Sequence, residues 1–289
     1  KQLTEIIALL SALFFAISPW HLQFSRATFE VNLSLTFIIF AVYSFLRGVR
    51  ETKWLSYSAI CFGLGLFSYH STRIVVPFIL LALGVAFYEE LLKKGKQLLV
   101  PVIIMLVFFI AFLPLAVSPE AQIRFRVTNF LIPAFPYAGE TDYQAISAKE
   151  IEESIDAGSP FWGKIFYNRR IAFINYENVV KVAKSYLSHF HPKFLFIEGD
   201  VPLHHAPGFG MLYAWDFPFL IIGIVALLFN VGGYRRRYLV PLIVWFLIAP
   251  LPASVTRQVP HAVRTLLILP TFHIFAAFGF VYLFLGISP

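Results

Sequence analysis

Charge is scarce in this chain. Asp, Glu, Lys and Arg make up only 13% of its 289 residues, where a soluble domain carries about 25%. That shortage excludes an ordinary water-soluble globule with a charged shell. Cysteine is nearly absent as well. Cys61 is the single one, so no intrachain disulfide exists and pairing says nothing about the redox compartment. There is no internal repeat, no low-complexity tract and no metal spacing of the His-Glu-x-x-His kind. A basic face is missing too. The net charge of +7 is spread over short connections rather than gathered on one surface, so no nucleic-acid partner is expected.

Apolar residues fill the space that charge leaves. They are 58% of the chain, and the mean hydropathy is +0.74. Eight long runs stand out: Leu3–Ser18, Leu33–Leu46, Trp54–Phe67, Ile74–Phe87, Leu98–Val117, Phe217–Val231, Leu239–Pro252 and Leu266–Gly286. They predict an all-α polytopic membrane protein with about eight transmembrane or membrane-embedded helices. Several runs fall short of the roughly 20 residues a straight crossing needs. The bases mark alternate connections: Arg47, Arg50 and Lys53, then Lys93, Lys94 and Lys96, then Arg235, Arg236 and Arg237. Cytoplasmic loops accumulate Lys and Arg, which puts these loops inside and the others outside. The expected setting is a multi-pass protein of the cytoplasmic membrane.

The outer segments are Pro19–Asn32, Ser68–Arg73, Ser118–Asp216 and Ala253–Arg264, and seven of the eight histidines fall in them. This divides the chain into N-terminal spans over 1–117, a large mixed extracytoplasmic loop over 118–216 and C-terminal spans over 217–289. The loop holds eleven of the sixteen acidic residues. Pro133, Pro136, Gly139 and Gly158 break its first half into turns, with a short amphipathic helix expected at Lys149–Ala157. Tyr167–Phe190 has the period of a helix lying on a surface, and His191–Asp216 reads as an ordered loop. The chain does not begin with Met and stops at Pro289 after an apolar run, so an excerpt of a longer protein is expected.

Four outer motifs carry side chains suited to chemistry. In the first, Trp20 is an interfacial ring after Pro19, and Arg26 and Glu30 are four apart, so on a helix they would share a face. An interfacial anchor with a local ion pair is the plain alternative to substrate binding. In the second, Ser68-Tyr69-His70-Ser71-Thr72-Arg73 packs more hydrogen-bonding groups into a turn than a solvated hairpin requires. In the third, Glu198 and Asp200 precede His204 and His205; Asp200, His204 and His205 are candidate ligands of a divalent metal, and a hydrogen-bonded loop is the alternative. His189 and His191 suit interfacial packing. In the fourth, Arg257, His261 and Arg264 enter the last span, where cations favour an anion such as a lipid phosphate. His273, alone in that span, reads as a satisfied buried histidine.

In order along the chain, SPWHLQFSRATFE, SYHSTR, PKFLFIEGD, HHAPGFGMLY, WDFPFLIIG and HAVR together resemble the polytopic C-type (GT-C) glycosyltransferases. The bacterial branch similar to protein O-mannosyltransferases and aminoarabinose transferases is the nearest in pattern. The resemblance implies sugar transfer from a polyprenyl-phosphate donor to a protein hydroxyl, glycolipid or cell-wall polymer at the outer face, with the bilayer as a further partner. It also implies a catalytic Asp in the first outer loop after the first span, upstream of Lys1. No residue here takes the base role by matching.

Such a transfer needs a base for the acceptor hydroxyl, and cations or a metal for the departing phosphate. Arg26, Glu30, Tyr69, His70, Arg73, His205, His261 and Arg264 are the residues expected to bind donor phosphate and sugar, converging on one cleft. A divalent metal is the one cofactor expected. The competing reading is a transporter or lipid flippase, which would place polar or helix-breaking residues near the midplane in repeated halves. A third is a membrane subunit that positions a partner's active site.

Overall fold

The long apolar runs become helices because, in lipid, a backbone must satisfy its own N–H and C=O groups. The computed structural model describes residues 2–116, 118, 128–129, 176–229 and 236–285. In chain order these are α1 (Gln2–Ile17), α2 (Pro19–Arg26), α3 (Glu30–Gly48), α4 (Lys53–Ser68), α5 (Thr72–Ala86), α6 (Tyr88–Leu92), a 3-10 turn at Gly95–Leu98, and α7 (Leu99–Ala116). After the outer stretch come α8 (Tyr176–Ser188), a single π turn (Lys193–Ile197), α9 (Asp216–Phe229), α10 (Arg236–Ile248) and α11 (Leu251–Ser254). The chain ends in α12 (Ala262–Thr265), a 3-10 turn (Leu266–Ile268) and α13 (Leu269–Leu285). Among the described residues no strand forms, and the one isolated bridge joins Asn129 to Thr256. The protein is an all-α membrane protein.

Each of the eight apolar runs corresponds to a helix, but not all are full crossings. Glu30–Gly48, Gly95–Ala116, Arg237–Ser254 and Ala262–Phe284 are long and apolar enough, and Thr4–Ile17 with Pro19–Arg26, bent by 53°, makes a fifth. Thr72–Ala86 and Asp216–Phe229 are shorter apolar helices. At about 1.5 Å per residue, a helix of that length falls several ångströms short of a hydrocarbon core about 30 Å thick. The expected surface helix is present as α8 over Tyr176–Ser188. Its first nine residues, the turns in 133–158 and the Lys149–Ala157 helix lie outside the described residues.

Helices in lipid gain little from hydrophobic exclusion, so close backbone approach has to hold them together. At the α9–α13 crossing, Gly223 lies so close that a Cβ there would sit 1.9 Å from the Phe275 carbonyl oxygen. Gly279 makes the reciprocal approach, 2.0 Å from the Phe219 oxygen. The 3-10 turn leading into α13 is part of the core: Leu266, Leu267 and Ile268 are buried, as is Leu269 at the start of the helix. Trp245 of α10 donates its indole N–H to the Leu267 carbonyl at 2.7 Å.

The two ends of this bundle differ in chemistry. At one end the basic connections tie to each other: Lys94 Nζ donates to Thr52 Oγ1 at 3.0 Å, and Thr52 Oγ1 to Gln97 Oε1 at 2.7 Å. Glu51 pairs with Arg47 at 3.3 Å and Lys53 at 3.4 Å, and Arg237 pairs with Glu90. The other end gathers α2, the Tyr69–Arg73 turn, the segment after α8 and the residues entering α12. These are the segments rich in histidine.

Candidate functional site

The histidine-rich end is built by packing short polar segments onto buried aromatic rings. Pro19 starts α2 after Ser18, and Trp20 is buried, with its backbone N–H donating to the Met211 carbonyl at 3.1 Å. Gln23 Nε2 donates to the Leu203 carbonyl at 3.2 Å. The segment carrying Asp200 and His204 is thereby fixed to the first helices. Within it, Met211 and Leu212 return to hydrogen-bond the Phe194 and Leu195 carbonyls at 3.4 and 2.7 Å. Gly199 adopts a left-handed φ of +68°, with the His205 ring where a Cβ would lie. That turn is open to glycine at least cost, and it sets Asp200 facing inward.

Asp200 is the hub. Its side chain is 4% exposed. Oδ2 accepts from His204 Nδ1 at 2.7 Å and from the Ala262 N–H at 2.8 Å. Burial alone would raise the pKa of this carboxyl, but the hydrogen bonds from His204, Ala262 and the Val201 backbone outweigh it and hold the pKa below the usual value. His204 packs against the rings of Phe24 and Phe29, each with its centroid at 5.7 Å, and faces the His261 ring at 5.4 Å. His189 completes the set: its Nε2 accepts the His261 N–H at 3.3 Å. Burial drives the His189 pKa down to about 4, so the ring is neutral near pH 7, and this hydrogen bond puts its proton on Nδ1. Burial, followed by the nearby Arg264 charge, brings His261 to about 4 as well.

One imidazole nitrogen from each of His204 and His261 and a carboxylate oxygen of Asp200 lie within 4.8 Å of one another. Asp200 and His204 therefore meet as expected, but their third member is His261. His205 instead pairs its Nδ1 with the Ala206 carbonyl at 3.0 Å. Asp200 Oδ1, His261 Nδ1 and His189 Nδ1 are buried with no hydrogen-bond partner among the described residues. Two imidazoles and a carboxylate are a donor set that suits a borderline divalent ion.

The other expected residues divide. Arg264, half-buried, is electrostatically coupled to both Tyr69 and His261, and Tyr69 stacks on His70 with centroids 4.1 Å apart. The charge of Arg264 thus acts on both Tyr69 and His261, and His70 packs beside Tyr69. Arg73 lays its guanidinium over the Phe112 ring at 5.0 Å. Arg26 and Glu30 are exposed, and the face they were expected to share does not exist. The helix breaks between them at Thr28, φ 51°, and no ion pair joins them among the described residues. His21 shares a hydrogen bond with Ser25 at 3.3 Å. His191, exposed, accepts the Lys193 N–H at 3.2 Å.

Two sequence readings are corrected. His189 is a buried member of the site rather than an interfacial ring. His273 is buried in α13 with neither ring nitrogen hydrogen-bonded among the described residues. No local spacing marks His189, because its partner is 72 positions away.

Residues 1–115, which include α1 to α5 and the Tyr69–Arg73 turn, match the family model described as dolichyl-phosphate-mannose-protein mannosyltransferase. The match supports a GT-C-like membrane glycosyltransferase. It agrees with the resemblance carried by SPWHLQFSRATFE and SYHSTR, which lie within the matched stretch. No curated protein and no solved structure matches the chain.

Proposed function

We propose that the protein transfers a sugar from a polyprenyl-phosphate donor to an acceptor hydroxyl at the extracytoplasmic face of the cytoplasmic membrane. The observation that carries this reading is the segregation of the bundle's two ends. Basic connections occupy one, which the positive-inside rule assigns to the cytoplasm. Asp200, His204, His261, Arg264, Tyr69 and His70 gather at the other.

In the reaction the bond between the sugar's anomeric carbon and the phosphate oxygen breaks, and the phosphate leaves with the electron pair. A bond forms from the acceptor oxygen to the same carbon, and the acceptor's proton passes to a base. Arg264 suits the departing phosphate: a guanidinium presents a planar fork of donors to its oxygens. Being half-buried, it acts where water screens it less than at a free surface. In this reading Tyr69 and His70 take sugar hydroxyls or the second phosphate oxygen. The base is assigned to none of the carboxylates here. Asp200 Oδ2 is committed to His204 and Ala262, Glu198 pairs with Lys193 at 3.0 Å, and Glu30 is exposed.

A transporter or lipid flippase is favoured by one feature, the unpaired buried His273 within a span, since ionisable groups inside membranes mark translocation paths. The polar density nonetheless sits at one end. The test uses full-length protein purified into liposomes, with a polyprenyl-phosphate-linked labelled sugar and a hydroxyl acceptor. Label appearing in the acceptor supports transfer. Label crossing the bilayer still bound to its lipid, with none in the acceptor, supports the transporter and overturns the proposal.

A further inference from the structure

The structure assigns a divalent-metal site of the zinc class to Asp200, His204 and His261, with one coordination position left open. The assignment begins from two buried atoms that lack partners. Asp200 Oδ1 and His261 Nδ1 are enclosed with no hydrogen bond among the described residues, although the Asp200 side chain is only 4% and that of His204 12% exposed. Leaving a buried polar atom unpaired is costly, and more so for a charged group. A cation held by this carboxylate and this imidazole gives the buried pair the partner they lack.

The geometry is close to what such an ion needs. The three ligand atoms lie within 4.8 Å of one another, and bonds of about 2.0–2.1 Å in a tetrahedron put ligand atoms about 3.3 Å apart. Small rotations of the two rings and the carboxylate close that gap. The ion displaces the proton that His204 Nδ1 and Asp200 Oδ2 share at 2.7 Å. An outer layer is already in place: Ala262 N–H fixes the carboxylate, His189 holds the His261 backbone, and Phe24 and Phe29 pack against the His204 ring. Such second-layer contacts orient metal ligands. Two imidazoles with a single carboxylate favour zinc or cobalt over magnesium, calcium or manganese, which take oxygen donors.

Three protein ligands leave a fourth position for water or an anionic oxygen, as in catalytic rather than structural zinc sites. Arg264, three residues beyond His261, is close enough for its charge to act on that ring. Only the suggestion that a donor phosphate oxygen enters there rests on the proposed sugar transfer; the metal site itself does not.

The test is cobalt and zinc binding to the chelator-stripped full-length protein in detergent. One Co2+ per chain is expected, with visible d–d absorption of a nitrogen- and oxygen-ligated ion, displaced by Zn2+ but not by Mg2+. In Asp200→Asn, His204→Gln and His261→Gln, affinity should fall by more than the roughly 10- to 100-fold that loss of an outer partner costs. His191→Gln should bind as the parent does. Because these variants risk misfolding, the parent supplies a second measurement: chelation should lower its Tm and Zn2+, not Mg2+, should restore it. A folded parent that binds no Co2+ and shows no such shift overturns the site, as does a folded His261→Gln that binds like the parent. Metal binding without sugar transfer would leave the site standing and count against the proposed function alone.

Discussion

Asp200 and Ala262 are 62 positions apart in sequence and meet at 2.8 Å, carboxylate Oδ2 to backbone N–H. This bond fastens the segment after α8 to the entrance of the last span. Removing the carboxylate as Asp200→Ala strands two buried donors, the Ala262 N–H and His204 Nδ1–H. At about 1–3 kcal/mol for a stranded buried group, the variant should melt several degrees lower in detergent. Asp200→Asn keeps an acceptor oxygen and should lose less. An Asp200→Ala protein with the parent's Tm would show that the bond does not hold the site.

The α9–α13 crossing gives a sharper test of packing. A Cβ at Gly223 or Gly279 would lie 1.9 and 2.0 Å from a carbonyl oxygen, far inside van der Waals contact. Backbone cannot give way as a flexible side chain does, so Gly223→Ala should cost about 1–3 kcal/mol or more. Gly84→Ala, in α5 with nothing within 4 Å of its Cβ, should be neutral or gain about 0.5–1 kcal/mol. Equal yields and melting temperatures for the two variants would refute the close crossing.

The helices were legible because period and length are local properties: runs such as Leu33–Leu46 and Leu98–Val117 name their own helices. The break between Arg26 and Glu30 was not, since it depends on Thr28 at φ 51°, a conformation that no spacing rule assigns to threonine. The candidate site was half legible. Asp200 and His204 stand four apart on one segment and could be paired by eye. His261 and His189 arrive from elsewhere in the chain, and only folding shows that His261 rather than His205 completes the group. His205 was misplaced because adjacency in sequence says nothing about which way two neighbouring rings turn around Gly199. The unpaired state of His273 was likewise invisible, since a partner's absence is a property of its surroundings in space.

Orientation follows from the opposed ends. Single cysteines at Arg50, Lys94 and Arg237 should be shielded from a membrane-impermeant maleimide on intact cells, in a background with Cys61 replaced. Cysteines at His191, His205 and Arg257 should label. Labelling at position 94 from outside, or none at 191 and 257 in folded protein, would reverse the assignment of faces.

The arginines separate chemistry from packing. Arg264 is half-buried and coupled to His261 and Tyr69, whereas Arg73 rests on the Phe112 ring at 5.0 Å. If Arg264 holds the donor phosphate, Arg264→Ala removes a charge-assisted contact worth roughly 1.5–3 kcal/mol. Transfer should then fall about 10- to 150-fold, and further if the contact strengthens as the phosphate departs. Arg264→Lys keeps the charge but not the planar fork, so it should recover only part of the rate. Arg73→Ala loses a cation–π contact of about 0.5–2 kcal/mol. Part of its effect should therefore appear as lower stability rather than lower rate per folded molecule. The measurement is transfer from a polyprenyl-phosphate-linked sugar by purified full-length variants, normalised to the folded fraction. Parent-like transfer by a well-folded Arg264→Ala would remove the phosphate role from Arg264 and move the search for the clamp to Arg73.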